Sequence, residues 1–152
     1  MQTIVFVIFL FLLSFLFAQV EIAIEGPHGW AKNLPTWKLH PRHWVSRLFF
    51  EGRPATGYHV WMILFMLCFP HIIYIFNPIS LSTELKLLSF LALFATAEDF
   101  LWFALNPAFG LKKFKKENIW WHADNWFIFA PRLYFIFIPL GVILYIISSL
   151  AV

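Results

Sequence analysis

At 152 residues, 61% hydrophobic and 12% charged, with 20 Phe and 8 Trp, the chain has far more apolar surface than one soluble core can bury. Its net charge of +3 comes with no groove-reading motif, which sets nucleic-acid recognition aside. The single cysteine, Cys68, excludes an internal disulfide and any CxxC redox or zinc pattern, and in its apolar run it reads as a small buried hydrophobe.

The expected fold is all-α: one polytopic membrane domain over 1–152, with four transmembrane helices and a short interfacial amphipathic helix. The first span covers about 2–24 and ends before Gly26-Pro27, where a proline disfavours helix in the residue preceding it. A cleaved signal peptide is the competing reading of this segment. It lacks a positive leading region, and Leu16-Phe17-Ala18 is a poor small-x-small cleavage site.

The loop from 25 to 57 is long enough for structure of its own. In "HPRHWVSRLFFEG", Trp44, Val45, Leu48 and Phe49 share one helical face, while His40, His43, Ser46, Arg47 and Glu51 fall on the other, with Pro41 suited to a first turn. This pattern fits a helix lying on a membrane surface, and it makes the HxxH of His40 and His43 a headgroup-facing pair rather than a metal site. The second span is about 58–76, ending at Asn77-Pro78, and the third about 85–105, ending at Asn106-Pro107. The loop 106–125 contains "KKFKK", a solvated run attracted to anionic lipid, and the fourth span is expected over about 126–151.

The two long loops carry nine Lys and Arg, while the 77–84 loop carries none. The positive-inside rule therefore makes the long loops cytosolic and puts both termini on the non-cytosolic side of a cell or organelle membrane. All eight tryptophans fall in or next to that cytosolic half, more than an interfacial belt requires.

Glu98 and Asp99 interrupt the third span about 12 Å from its cytosolic end, and Arg132 sits at nearly the same depth in the fourth span as drawn. A bare charge mid-bilayer costs at least ~2.5 kcal/mol, so an ion pair of Arg132 with Asp99 or Glu98 is expected. Two acids against one base leave a surplus negative charge to be met by a proton, another cation or a metal. Candidate partners at the same end are His28, His59, His122 and Asp124, and Glu21 and Glu25 add carboxylates one helical turn apart.

Three functional readings follow. In one, His28, His59, Glu98, Asp99 and His122 ligate a divalent metal such as zinc or iron, although no HExxH or ExxH supports that spacing. In another, Glu98, Asp99, His59, His122 and Arg132 carry acid-base chemistry, and Glu25, Trp30, Trp61, Trp102, Trp121 and Asp124 line a slot for a lipid or other hydrophobic substrate. In the third, Glu98, Asp99 and Arg132 only lock helices together in a structural or complex subunit. A transporter or channel subunit ranks lower, because a path needs polar groups along its length and the outer half is nearly all apolar apart from His71. The distinctive loops "IEGPHGWAKNLPTW" and "GLKKFKKENIWWHADNW" favour a site, and an enzyme acting on a lipid-like substrate is the preferred reading. The oily outer face suits membrane lipid, copies of the chain or a larger complex equally well.

Overall fold

The computed structural model describes residues 1–151. Helix makes up 68% of the chain, and four helical segments are long and apolar enough to cross a membrane: Gln2–Glu25, Gly57–Phe76, Leu81–Leu105 and Arg132–Leu150.

The first, α1 (Gln2–Glu25), buries Leu10, Ser14, Ala18, Glu21 and Glu25, one face of a helix at three- and four-residue spacing. The same stripe that packs at Ala18 thus presents two carboxylates at its far end. Gly26 stops the helix with a left-handed φ of 64°, its N–H bonded to the Ile22 carbonyl at 2.9 Å. A short helix, α2 (Trp44–Phe49), follows in the first long loop.

The second long segment is not one uniform helix. Its first part, α3 (Gly57–Cys68), is capped by the Thr56 hydroxyl, which accepts the His59 N–H. Pro70 lacks an N–H to continue the ladder, and Phe69–Ile72 tightens into a 3₁₀ turn before α4 (Ile73–Phe76). The central helix, α5 (Leu81–Leu105), begins at Leu81 rather than near residue 85, because the Ser80 hydroxyl caps it by accepting the Thr83 N–H.

The last helix, α6 (Arg132–Leu150), starts six residues later than the sequence suggests. Residues 126–131 instead form a two-residue hairpin, β1 (Trp126–Phe127) against β2 (Ala130–Pro131), turning through Ile128 at φ 51°. Pro131 holds Ala130 extended, so helix begins only after it.

Helix α5 is the spine, packed along α1 and α6. Against α6 the approach is close: Ser89 Oγ donates to the Gly141 carbonyl at 2.7 Å, and a Cβ on Gly141 would lie 2.5 Å from the Leu93 side chain. Among the described residues α3 has no partner packed so extensively, which leaves a gap between it and α1, α5 and α6.

The two long connections fold over one end, here termed the loop end. Leu39 N–H bonds Ala55 O at 2.8 Å and Gly57 N–H bonds Trp37 O at 2.9 Å, while Ser46, expected on the polar face of α2, is buried and accepts the Ala55 N–H at 3.1 Å. Trp44, Leu48 and Phe49 stay exposed, as the amphipathic pattern implies. Pro41 lies before α2 rather than in its first turn, and the cap is His43, whose Nδ1 accepts the Val45 N–H. His40 Nδ1 likewise accepts the Arg42 N–H, so each histidine of the HxxH pair holds local backbone.

Ala18, Trp102, Phe103, Ile119 and Trp121 form the buried aromatic base of this end. Gly29, at φ 60°, lets the first loop lie on Trp121; an added Cβ would sit 2.5 Å from that ring. Cys68, expected to be buried, is exposed on α3.

Candidate functional site

The gap beside α3 is a cavity of about 460 Å³ at the loop end of the bundle. That volume falls within the range of small-molecule sites. Its polar floor is built by Glu21 and Glu25 of α1, Arg53 of the first loop, His59 of α3, Glu98 and Asp99 of α5, His122 of the second loop and Tyr134 of α6. Its walls are apolar: Met62, Ile63, Met66 and Leu67 form one face of α3, opposed by Leu91, Ala92 and Ala95 on α5 and Phe137 on α6.

Asp99 lies between α6 and the second long loop. Tyr134 donates its hydroxyl hydrogen to Oδ2 at 2.5 Å, and His122 Nε2 stands 3.5 Å from Oδ1 without hydrogen-bond alignment. The His122 ring is 4% exposed and the Asp99 side chain 32% exposed, so the acid is the more open member of the pair. Glu98 is one residue away and about 100° around the helix. It faces α1, where its carboxyl adjoins that of Glu21. Tyr58 donates to the other side of Glu21 at 3.4 Å.

Glu25 is held differently. Its two oxygens accept the N–H groups of Trp30 and Ala31, both at left-handed φ (50° and 47°), and Oε1 also lies 3.3 Å from His59 Nε2. The carboxylate therefore shapes the "EGPHGWA" loop as well as facing the cavity. The loop turns Trp30 inward to stack on the His59 ring at 4.1 Å, with the Arg53 guanidinium 4.2 Å from the indole centroid. On the far side of His59, Thr56 Oγ1 lies 2.7 Å from Nδ1. That hydroxyl oxygen already accepts the His59 N–H, so its hydrogen is free for Nδ1, which leaves the ring hydrogen on Nε2, 3.3 Å from Glu25 Oε1.

Among the described residues, the buried side-chain atoms without a hydrogen-bond partner are Ser14 Oγ, Glu98 Oε1, Trp102 Nε1 and both ring nitrogens of His122. Apart from Ser14, all belong to residues lining the cavity. Buried polar groups in folded proteins are nearly always paired, so their concentration at one cavity marks it chemically.

The cation expected beside Asp99 is not Arg132. With Pro131 as the cap of α6, Arg132 occupies the first helical position and points outward, 58% exposed, to Glu51 Oε1 at 3.2 Å. Arg53 stands at the cavity in its place, its Nη2 3.5 Å from Glu51 Oε2 and its Nε donating to Phe50 O. Burial pulls the Arg53 guanidinium below its ordinary value, and the negative charges of Asp99 and Glu51 act in the opposite direction.

Of the other sequence-derived candidates, Glu25, Trp30, His59, Glu98, Asp99, Trp102, Trp121 and His122 line the cavity together. Four do not. His28 is exposed, because the Glu25-held turn directs Trp30 inward in its stead. Asp124 is exposed in a 3₁₀ turn, Trp61 lies on the outer face of α3 at 66% exposure, and Arg132 binds Glu51. Among the described residues no three His, Cys, Asp or Glu side chains are gathered as ion ligands, so the proposed zinc or iron set of His28, His59, Glu98, Asp99 and His122 is not assembled.

Arg53 and Tyr134 complete the floor but were not among the candidates. Tyr134 had a usable signal, since a phenol two residues beyond Arg132 falls at the depth of Asp99. Arg53 looked like one more loop cation, and only its place three residues before the Thr56 cap ties it to His59.

No known family model matches the chain, and neither a curated protein nor a solved structure matches it.

Proposed function

We propose that this chain is a multi-pass membrane protein that binds a lipid-like amphiphile in the loop-end cavity and acts on its head by acid-base chemistry. The observation that carries this reading is the division of one cavity into a polar floor and apolar walls. From Glu98 to Leu91 the α5 wall runs about 10 Å along the helix, room for a chain to lie between α5 and the spaced-off α3. The walls are apolar, as are the exposed faces of the helices, so a tail can reach the slot from a surrounding bilayer without crossing a polar barrier.

Two carboxylate–imidazole pairs meet the head group. In one, Glu25 orients His59, whose Nδ1 is held by Thr56; in the other, Asp99 sits between His122 and Tyr134. Each pair can take up a proton and return it, with the carboxylate stabilising the imidazolium that forms. Asp99 is the acid-base group with open access to the bound molecule, and Tyr134 supplies a hydroxyl hydrogen beside it. Arg53, facing Asp99 from the first loop, balances part of the negative charge. The reading that Glu98, Asp99 and Arg132 merely clasp helices loses its cation, since Arg132 pairs with Glu51.

The test is turnover. Purified protein in nanodiscs is incubated with a total membrane-lipid extract, and consumed and formed species are followed by mass spectrometry. The expected result is a wild-type-dependent change in one amphiphile class that Asp99→Asn lowers by 10²- to 10⁴-fold, the usual reach of a positioned acid-base group. An extract left unchanged by the wild type, with no lipid retained through detergent exchange, rules the reading out.

A further inference from the structure

Two connections at the loop end hold large apolar side chains outward. On α2 these are Trp44, Leu48 and Phe49, 65% to 70% exposed, while Ser46 and Phe50 are buried beneath them. In the hairpin they are Phe127, Ile128 and Phe129, 49% to 72% exposed. Ile128 is the first of the two turn residues and has φ 51°, a conformation that is costly for a β-branched residue and suits glycine. The turn thus keeps a branched apolar side chain at its tip despite the strain.

The two prongs are neighbours. Asn125, just before the hairpin, donates from Nδ2 to Glu51 O at 3.0 Å, and Arg132, just after it, reaches Glu51 Oε1 at 3.2 Å, so the end of α2 and the base of the hairpin meet at one residue. Each prong also borders the cavity, through Phe49 and Pro131.

Continuity and charge say what covers this surface. The Phe127 and Phe129 rings lie 5.1 Å and 5.2 Å from that of Phe135 on α6. On the same helix face Ile138 and Val142, both 46% exposed, carry the apolar stripe along a segment long and apolar enough to cross a membrane. The stripe therefore runs from the span onto the hairpin without a break. Around it stand exposed cations. Arg42 and Arg47 lie before and on α2, and Lys113 and Lys115 flank Phe114, whose ring is 5.3 Å from Trp126 of β1. An apolar face bordered by Arg and Lys matches a phospholipid leaflet, acyl chains against the face and phosphates against the cations.

We propose that the α2 face and the hairpin tip insert together into the leaflet at the loop end, their apolar side chains among the upper acyl chains and their cations at the phosphates. This needs the multi-pass reading above but not the bound amphiphile. Because both prongs border the cavity, its polar floor lies at the headgroup level of that leaflet, the layer from which an amphiphile is drawn.

The experiment uses the full chain with Cys68→Ala, since Cys68 is exposed, and adds Leu48→Cys, Ile128→Cys or Ile143→Cys one at a time, each labelled with bimane in phosphatidylcholine nanodiscs. Leu48 and Ile128 read the two prongs, and Ile143, 52% exposed near the middle of α6, reads the span. All three side chains are more than half exposed, so the labels leave the core intact. Quenching is compared for a lipid spin-labelled near its head, a lipid spin-labelled near its tail end, and iodide in the water.

The Leu48 and Ile128 labels are expected to lose at least half of their emission to the head-labelled lipid and under a tenth to iodide. The Ile143 label is expected to be quenched most by the tail-labelled lipid. A prong label quenched by iodide and not by lipid lies in water, which overturns the proposal. One protected from all three quenchers is covered by a second copy or another protein, which overturns it as well. Both outcomes leave the multi-pass reading standing as long as Ile143 meets the tail-labelled lipid, and an Ile143 label that neither lipid quenches overturns the two together.

Discussion

The two ends of the bundle hold the same three functional groups in different settings. At the terminal end, Glu84 accepts from Tyr74 at 2.8 Å and lies 3.1 Å from His71 Nε2. At the loop end, Asp99 accepts from Tyr134 at 2.5 Å and lies 3.5 Å from His122 Nε2. His71 and Glu84 are 36% and 33% exposed and their contacts are aligned, so that cluster is complete as it stands. His122 is 4% exposed with neither nitrogen bonded, and it borders a cavity with other unpartnered atoms. A carboxylate, an imidazole and a phenol do not by themselves make a site; burial with unmet hydrogen bonds beside open space is what separates the two.

The contrast is sharpest under substitution of the acids. Asp99→Asn is expected to reduce turnover of the amphiphile by 10²- to 10⁴-fold, while Glu84→Gln changes it less than twofold. Equal losses from both, measured by the same mass-spectrometric assay, break the comparison. Next in size is the aromatic base under the loop-end site. Trp121→Ala removes a buried ring that stacks on Phe103 and supports Gly29, and a loss of about 3 to 5 kcal/mol is expected in thermal or denaturant unfolding. No exposed ring at the terminal end, such as Phe76, approaches that value.

Tyr134→Phe keeps the ring and removes the hydrogen bond to Asp99. A drop of roughly tenfold in kcat with little change in KM is expected, because the lost group acts on the reacting head rather than on the tail. The smallest effect belongs to the terminal end. Glu84→Gln is expected to cost about 1 kcal/mol or less in stability, as solvent screens a half-exposed ion pair, and its effect should shrink further in high salt.

The four long helices were legible because length and apolarity suffice to find them, and Pro27, Pro78 and Pro107 mark three of their ends. Helical rise alone also put Asp99 near the depth of Arg132, six residues into the last span as drawn, and it is Tyr134 of that helix that meets the acid. Its cation was missed for a local reason. The left-handed turn at Ile128 and the hairpin around it consume six residues that read as helix, and Arg132 moves out of the interior as a result.

Loop geometry was the harder part. Nothing in "EGPHGW" says that Glu25 will bind the Trp30 and Ala31 N–H groups and so choose Trp30 over His28 to face inward. Arg53 was hidden in the same way, since its position depends on a stack with Trp30 that joins residues far apart in the chain.

The central claim is that the gap between α3 and α5 holds an amphiphile, and native mass spectrometry of wild type beside Ala95→Phe tests it most directly. The wild type released from mild detergent is predicted to carry one bound amphiphile per chain, and the filled variant, equally stable, to carry none. A wild type that carries nothing, or a variant that keeps the same molecule at the same stoichiometry, contradicts the account.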